Sequence, residues 1–460
     1  MIDQSYDQIF TSFEEISNNF KRSNQYFDIL YDSFSSVFID KSPFAEDISV
    51  NVKTSGIVAR TFDGTWKEIA LDDFSKLNNV TEKLPKVVNK GEEIAEFEGW
   101  KLDKEIKPKI NPKEVSIEDK LKKIRYISNF VQNYDKRIVL CKIKYMETET
   151  TRIFVNNEGC QLRQVIPRTR LFIYPIVKEG MKIDFDHFLT DGIVGFEIFD
   201  ELTDNKLEQI ANTSLEMLNA KKPPSGKFPV IVDPGMAGII AHESFGHGLE
   251  ADQVLRERSY LKEKLNKQVA SDICVICDTP NTEDVLGFYF FDDEGIRAGK
   301  NVLVENGILK NFIYDRRSAS VLNGDPQGNG RRQSYAHIVH PRMSNTYFEP
   351  GDYDLEEMIS EIKVGVMVNH AYFGMEDPIG GGLQCMSKKG YLVENGEKTQ
   401  LLRSIALTGY VLDVLQNIDA ISKDPTHLDG GVCGKGQADY VPVSDGGSYL
   451  KIKEVLISPG

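Results

Sequence analysis

Residues 228–252 read Phe-Pro-Val-Ile-Val-Asp-Pro-Gly-Met-Ala-Gly-Ile-Ile-Ala-His-Glu-Ser-Phe-Gly-His-Gly-Leu-Glu-Ala-Asp. An apolar, strand-like run ends at Asp233, and Pro234 opens a stretch of helix formers that leads into His242. Proline suits that position because its missing N–H would find no partner in a first helical turn. Two histidines, a glutamate and two glycines then fall within residues 242–248, a poor use of a hydrophobic core. The pattern is H-E-x-x-x-H, one residue longer than the zinc-protease signature H-E-x-x-H. Positions i and i+4 lie about 40° apart on an α-helix, whereas i and i+5 lie about 140° apart. His242 and His247 therefore converge on one ion only if the helix widens locally to i→i+5 bonding, or ends near Gly246. Glu243 points off the ligand face, where a general base acting on metal-bound water should stand.

Zinc takes a third protein ligand and leaves its fourth position for water. Spacing leaves Glu250 or Asp252, His337 or His340, and a cysteine open for that place. Cys433 lies in Asp429-Gly-Gly-Val-Cys-Gly-Lys-Gly-Gln437, where glycines allow close backbone approach and Lys435 would favour the thiolate.

Outward from this segment, the chain divides. Of seven histidines only His187 precedes residue 223, and 28 of 36 glycines follow residue 222. The run Lys-Lys-Pro-Pro-Ser-Gly at 221–226 reads as a linker. The expected organisation is α+β: an N-terminal docking or scaffold domain over 1–224, then a β-rich catalytic domain over 225–460 that carries the metal-binding helix. In the first domain, helical periodicity covers 4–20, a stretch capped by Ser116 with Asp119, and a stretch from Asp204. Short β-rich runs at 138–145, 151–155 and 162–166 include a hairpin turned at residues 156–159. Leu303-Val-Glu-Asn-Gly307 recurs as Leu392-Val-Glu-Asn-Gly396, which predicts two hairpins with Asn-Gly turns. Nothing in the first half concentrates reactive residues.

With 55 Lys+Arg against 70 Asp+Glu, the 460-residue chain carries a net charge of −15, which excludes general nucleic-acid binding. It has no membrane-length apolar run, no signal-peptide pattern, and cysteines too few and scattered for a disulfide scaffold. A cytoplasmic protein is expected. Cys274-Val-Ile-Cys277 has no second CxxC and reads as structural. Asp292-Asp293-Glu294 reads as a solvated turn rather than a cation site. Arg331, Arg332 and Arg342 suit either a peptide carboxylate or phosphate, or ion pairs within an acidic protein.

Six strings occur in colinear order: Asn156-Asn-Glu-Gly159, His242–Asp252, Asp292-Asp-Glu-Gly295, Gly328-Asn-Gly-Arg-Arg332, Arg342-Met-Ser-Asn-Thr-Tyr347 and Val432-Cys-Gly-Lys435. Together they resemble the TldD/PmbA metalloprotease family, once described as modulators of DNA gyrase, and its motif-bearing TldD type. The chain departs from the family in having one residue fewer between Lys435 and the following Gly-Gln. The resemblance implies zinc held by His242, His247 and Cys433, with Glu243 as catalytic base. It further implies hydrolysis of unfolded or short peptides by zinc-bound water, and a dimer formed with itself or with a PmbA-type subunit. The competing reading is a non-catalytic peptide-binding or assembly subunit that has kept the motif.

Overall fold

The computed structural model describes residues 6–21, 26–84, 93–436 and 439–460; positions 4 and 5 of the expected first helix and Gln437 lie outside them. An eight-stranded sheet organises the first half. Strand Tyr26–Lys41 lies between Glu46–Phe62 and Ile138–Asn156, and the latter turns at residues 157–160 into Gln161–Glu179. The runs expected at 138–145 and 151–155 are thus one strand of 19 residues. Its polar middle, Glu147–Thr151, alternates between two covered faces.

Odd-numbered residues of the central strands, such as Ile29, Tyr145 and Ile153, point to three helices. These are Tyr6–Lys21, Ile117–Tyr134 and Asp204–Glu216. Ser116 caps the second by accepting from Asp119 N at 3.1 Å. Even-numbered residues face the opposite way: Leu30, Phe154 and Leu162 pack on Phe291 from the second half. The first half therefore covers one sheet face with its own helices and the other with residues of the second half.

In the second half, strands Glu397–Tyr410, Gly382–Glu394, Val364–Glu376, Gly226–Val232 and Leu450–Pro459 pair in that order, and the last also pairs the first, closing a five-stranded barrel. A second sheet includes Ile276–Asp278, Asn345–Phe348, Asp439–Gly447 and, at its edge, His427–Lys435. Both Asn-Gly hairpins form, with Asn306 and Asn395 left-handed at φ 51° and 50°. The 221–226 segment is not a free linker, because Lys221 bridges Leu402 and exchanges backbone hydrogen bonds with the Glu397–Tyr410 strand.

Helix Pro234–Ala241 runs between barrel and second sheet, apolar on all sides and almost wholly buried. A Cβ on Gly238 would lie 2.3 Å from Gly446 N and 2.5 Å from Asp445 C, so the strand carrying Asp445 approaches the helix backbone directly.

The expected solvated turn at 292–294 is instead buried, at 2%, 1% and 0% exposure. Its carboxylates tie the halves together: Glu294 meets Arg60 at 3.3 Å and Asp293 meets Arg152 at 2.8 Å. A charge removed from water needs such a partner. Burial nevertheless pushes the Glu294 carboxyl up to about 7, with Arg60 opposing and Asp315 reinforcing the rise.

Gly238→Ala should destabilise the protein by roughly 1–3 kcal/mol in urea unfolding, because overpacking against backbone outweighs the ~1 kcal/mol gain in helix propensity; a stabilised variant would refute the close approach. Glu294 holds its proton more tightly folded than unfolded, so its contribution is full below about pH 4.5 and is lost as pH rises through about 7. Thermal scans at pH 5.5 and 8 should therefore show a smaller pH-dependent loss in Glu294→Gln than in the parent.

Candidate metal centre

The buried helix ends in the distortion that the histidine spacing requires. Residues His242–Gly246 form a π-helical turn in which His247 N donates to the carbonyl of His242, an i→i+5 bond. The turn packs tightly on Met343, whose Sδ would lie 1.7 Å from a Cβ on Gly246. The two imidazoles thereby share one side, with ring centroids 5.3 Å apart and planes at 83°. Cys433, on the edge strand, completes the group: its Sγ lies 3.4 Å from His247 Nε2. One donor atom from each of His242, His247 and Cys433 lies within 4.8 Å of the others.

The other spacing candidates are used elsewhere. After His247 the chain makes a 3-10 turn, and Glu250 leaves the helix at ψ 115°. Its buried carboxylate sits behind His247, 3.4 Å from Nδ1, and contacts Lys435 at 3.0 Å and Arg342 at 3.3 Å. A carboxylate so placed fixes the ring's tautomer and orientation. Burial opposes ionisation of Glu250, but Lys435 and His247 hold it below the usual carboxylate range. Asp252 pairs with Lys435, while His337 hydrogen-bonds Ser334 and His340 lies 3.8 Å from Asp439.

Lys435 is thus occupied by carboxylates and does not activate the thiol as its position in sequence suggests. Burial alone would push the Cys433 thiol up; His242 and His247 reverse this and bring it well below its ordinary value. Reciprocally, burial would push His242 down, but the Cys433 thiolate outweighs it and raises the imidazole to about 9. Arg342, fully buried, donates to the Cys433 carbonyl at 2.9 Å and to the Asp439 carbonyl at 3.1 Å, so it clamps the edge strand and is not free for a ligand.

Glu243 is half-buried beside Gly374 and lines a cleft of about 1050 Å³ together with His242, Asp445 and Gly430–Val432 of the edge strand. The first half contributes to this cleft after all. Phe185, His187 and Tyr174 line it, and His187 meets His370 at a centroid distance of 5.7 Å. His370 is left-handed at φ 56°, and its Nδ1 lies 3.2 Å from the buried Asp186. The adjacent Asp186-His187 pair was the available sequence signal; the bulged strand that brings His370 to it has none. Asp445, which spacing did not single out, lies 3.9 Å from His242 Nδ1; burial pushes its carboxyl up to about 7 against the pull of His242.

A buried helix in a β-rich fold thus presents a His-His-Cys cluster with the spacing of a metal-binding group. The chain belongs to the PmbA/TldD metallopeptidase family: the C-terminal domain profile matches residues 225–459 and the central domain profile residues 110–221. Within it, the chain is 35% identical to Metalloprotease MJ0996 of Methanocaldococcus jannaschii, covering 83% of this chain and 84% of that protein. It is 31% identical to the Zinc metalloprotease TldD homolog of Saccharolobus solfataricus, covering 74% and 76% respectively. The fold matches that of TldE from Thermococcus kodakarensis with a TM-score of 0.73 at 19% identity, over 97% of this chain and all of the other. A candidate modulator of DNA gyrase from Thermotoga maritima matches with a TM-score of 0.78 at 20% identity, over 98% and 100%. Among the described residues, no helix is long and apolar enough to cross a membrane.

The thiol environments are testable directly. In chelator-treated native protein, iodoacetamide should alkylate Cys433 with a weaker pH dependence than an ordinary thiol shows, because His242 and His247 favour its thiolate. Cys141, Cys274 and Cys277, buried and pushed up to about 12, should stay unlabelled until the protein unfolds. Labelling of Cys433 that rises tenfold per pH unit would contradict the thiolate assignment.

Proposed function

We propose that this chain is a zinc-dependent peptidase acting on unfolded or short peptides. The observation that carries the reading is the cluster of His242, His247 and Cys433, three donors within 4.8 Å of one another, beside Glu243 in an open cleft. Two imidazoles and a thiolate are a donor set that suits zinc, and the buried His242 Nδ1 has no hydrogen-bond partner among the described residues. When bound, zinc supplies Lewis acidity that activates water and polarises the scissile carbonyl. With one thiolate among its ligands the centre would be formally +1, a weaker Lewis acid than an all-imidazole site.

The protein groups then have distinct tasks. His242, His247 and Cys433 hold the ion, and Glu250 orients His247 with Lys435 and Arg342 anchoring it. Glu243 accepts the proton of the attacking water and passes it to the leaving amine. Strand His427–Lys435 ends its sheet and presents Gly430–Val432 to the cleft, so an extended peptide can pair with its backbone whatever its side chains. All six cysteines are free, which suits a reducing cytoplasm. We further propose that the working form is a dimer, with itself or with a PmbA-type subunit.

Metal analysis with two variants tests the reading. The parent should carry one zinc per chain, and His242→Ala should lose it. Glu243→Gln should keep zinc and lose peptide cleavage by about 10²–10⁴-fold, assayed alone and with any PmbA-type partner. Undiminished cleavage by Glu243→Gln would sink the mechanism. Zinc binding without cleavage by the parent in either assembly would favour a non-catalytic peptide-binding subunit.

A further inference from the structure

A second cavity, of about 660 Å³, lies between the helix-free face of the first sheet and loops of the second half. Among the described residues, its wall carries Arg152, Arg168, Arg331 and Arg332 against a single carboxylate, Asp32. Two of these arginines are neutralised. Arg152 pairs with Asp32 at 3.3 Å and Asp293 at 2.8 Å, and Arg332 with Glu68 at 3.4 Å.

The other two are not. Arg168 donates to the carbonyls of Leu286 at 2.7 Å and Phe288 at 2.8 Å. Arg331 donates to the carbonyls of Met343 and Pro442 and lies over the Tyr289 ring. Neither makes an ion pair among the described residues, although they are only 7% and 4% exposed. Carbonyl oxygens satisfy N–H groups but do not cancel a charge, and an uncompensated buried cation is costly. Burial and repulsion from Arg331 and Arg152 push even the Arg168 guanidinium down to about 9. In a chain of net charge −15, such an excess of cations in one cavity is a local construction.

Its position says which anion it fits, given the peptidase reading above. Val432 lines this cavity and also the cleft that holds Glu243, so the edge strand is a wall common to both. The cleft side is rich in carboxyl groups: Asp233, Glu243, Asp424, Asp429 and Asp445 line it, and the one Lys or Arg among its described lining residues, Arg170, is paired with Asp191. Among the described lining residues, a peptide's free carboxylate meets no unpaired Lys or Arg on the cleft side and two arginines without ion pairs on the far side. Phe34, Met146, Ile166, Leu286 and Val441 add apolar wall beside the arginines.

We propose that this cavity binds the C-terminal carboxylate of a short peptide whose last residue is apolar, so that the protein selects substrates by their free C-terminus. The arginines are binding residues here, separate from the groups assigned to bond cleavage.

The test uses binding, so it stands apart from hydrolysis. An N-acetylated hexapeptide ending in leucine is titrated as free acid and as C-terminal amide into Glu243→Gln protein by calorimetry. The acid should bind at least about tenfold tighter than the amide, the discrimination expected of a charge-assisted contact. Arg331→Gln in that background should bring the ratio towards one while leaving amide binding unchanged, which also reports an intact fold; Arg331→Lys should restore part of the ratio. Equal binding of acid and amide, or no binding of either at millimolar concentration, overturns the proposal. So does displacement by inorganic phosphate without acid–amide discrimination, since the cavity would then take a free anion and not a peptide end. Failure of the peptidase reading would appear separately, as a parent protein that binds the acid selectively and cleaves nothing.

Discussion

One hydrogen bond sets the geometry of the centre: His247 N to the carbonyl of His242, five residues back. With ordinary α-helical bonding the two rings would diverge by roughly 140°. A π turn adds a residue to one turn of the helix and removes that divergence. Such a turn loses regular packing and is tolerated where surroundings fix it. Here the helix before it is buried between barrel and sheet, Gly238 lets the Asp445 strand press against it, and Met343 fills the space beside Gly246.

Charge is arranged around this turn as carefully as shape. Glu250, Lys435 and Arg342 form a buried relay that ties His247 to the strand bearing Cys433, since Arg342 holds both the Glu250 carboxylate and the Cys433 carbonyl. The two donor-bearing segments, 186 residues apart in sequence, are therefore positioned by protein groups alone. Thiolate and imidazolium stabilise each other across the gap that a cation of the proposed kind would take over.

How much of this is legible in the sequence varies with the range of the interaction. The π turn follows from counting residues between His242 and His247, the Ser116 cap and the two Asn-Gly hairpins from local chemistry. Long-range features do not follow. Spacing alone left three kinds of third donor open, and the family resemblance pointed to Cys433; the fold brings that sulfur to the histidines and shows Glu250 behind one of them. Lys435 reads as a neighbour of the thiol because it is two residues away on the same strand face, but its ammonium is held by Glu250 and Asp252. Asp292–Glu294 reads as solvated because acidic runs usually are, and only the docking of Arg60 and Arg152 from the first sheet explains its burial. Asp186, His187 and His370 join across 184 residues through a left-handed strand position that no pattern announces.

The arginine contacts between the halves have a consequence for how this interface tolerates change. Arg168, from the first half, grips the carbonyl oxygens of Leu286 and Phe288 in the second, atoms that every residue type supplies. Side chains at those two positions can change within the limits of packing without breaking the grip, whereas no other residue reproduces the planar fork of an arginine. The burden of preserving this contact is unequal: Arg168 carries it with its side chain, whereas Leu286 and Phe288 contribute only backbone oxygens.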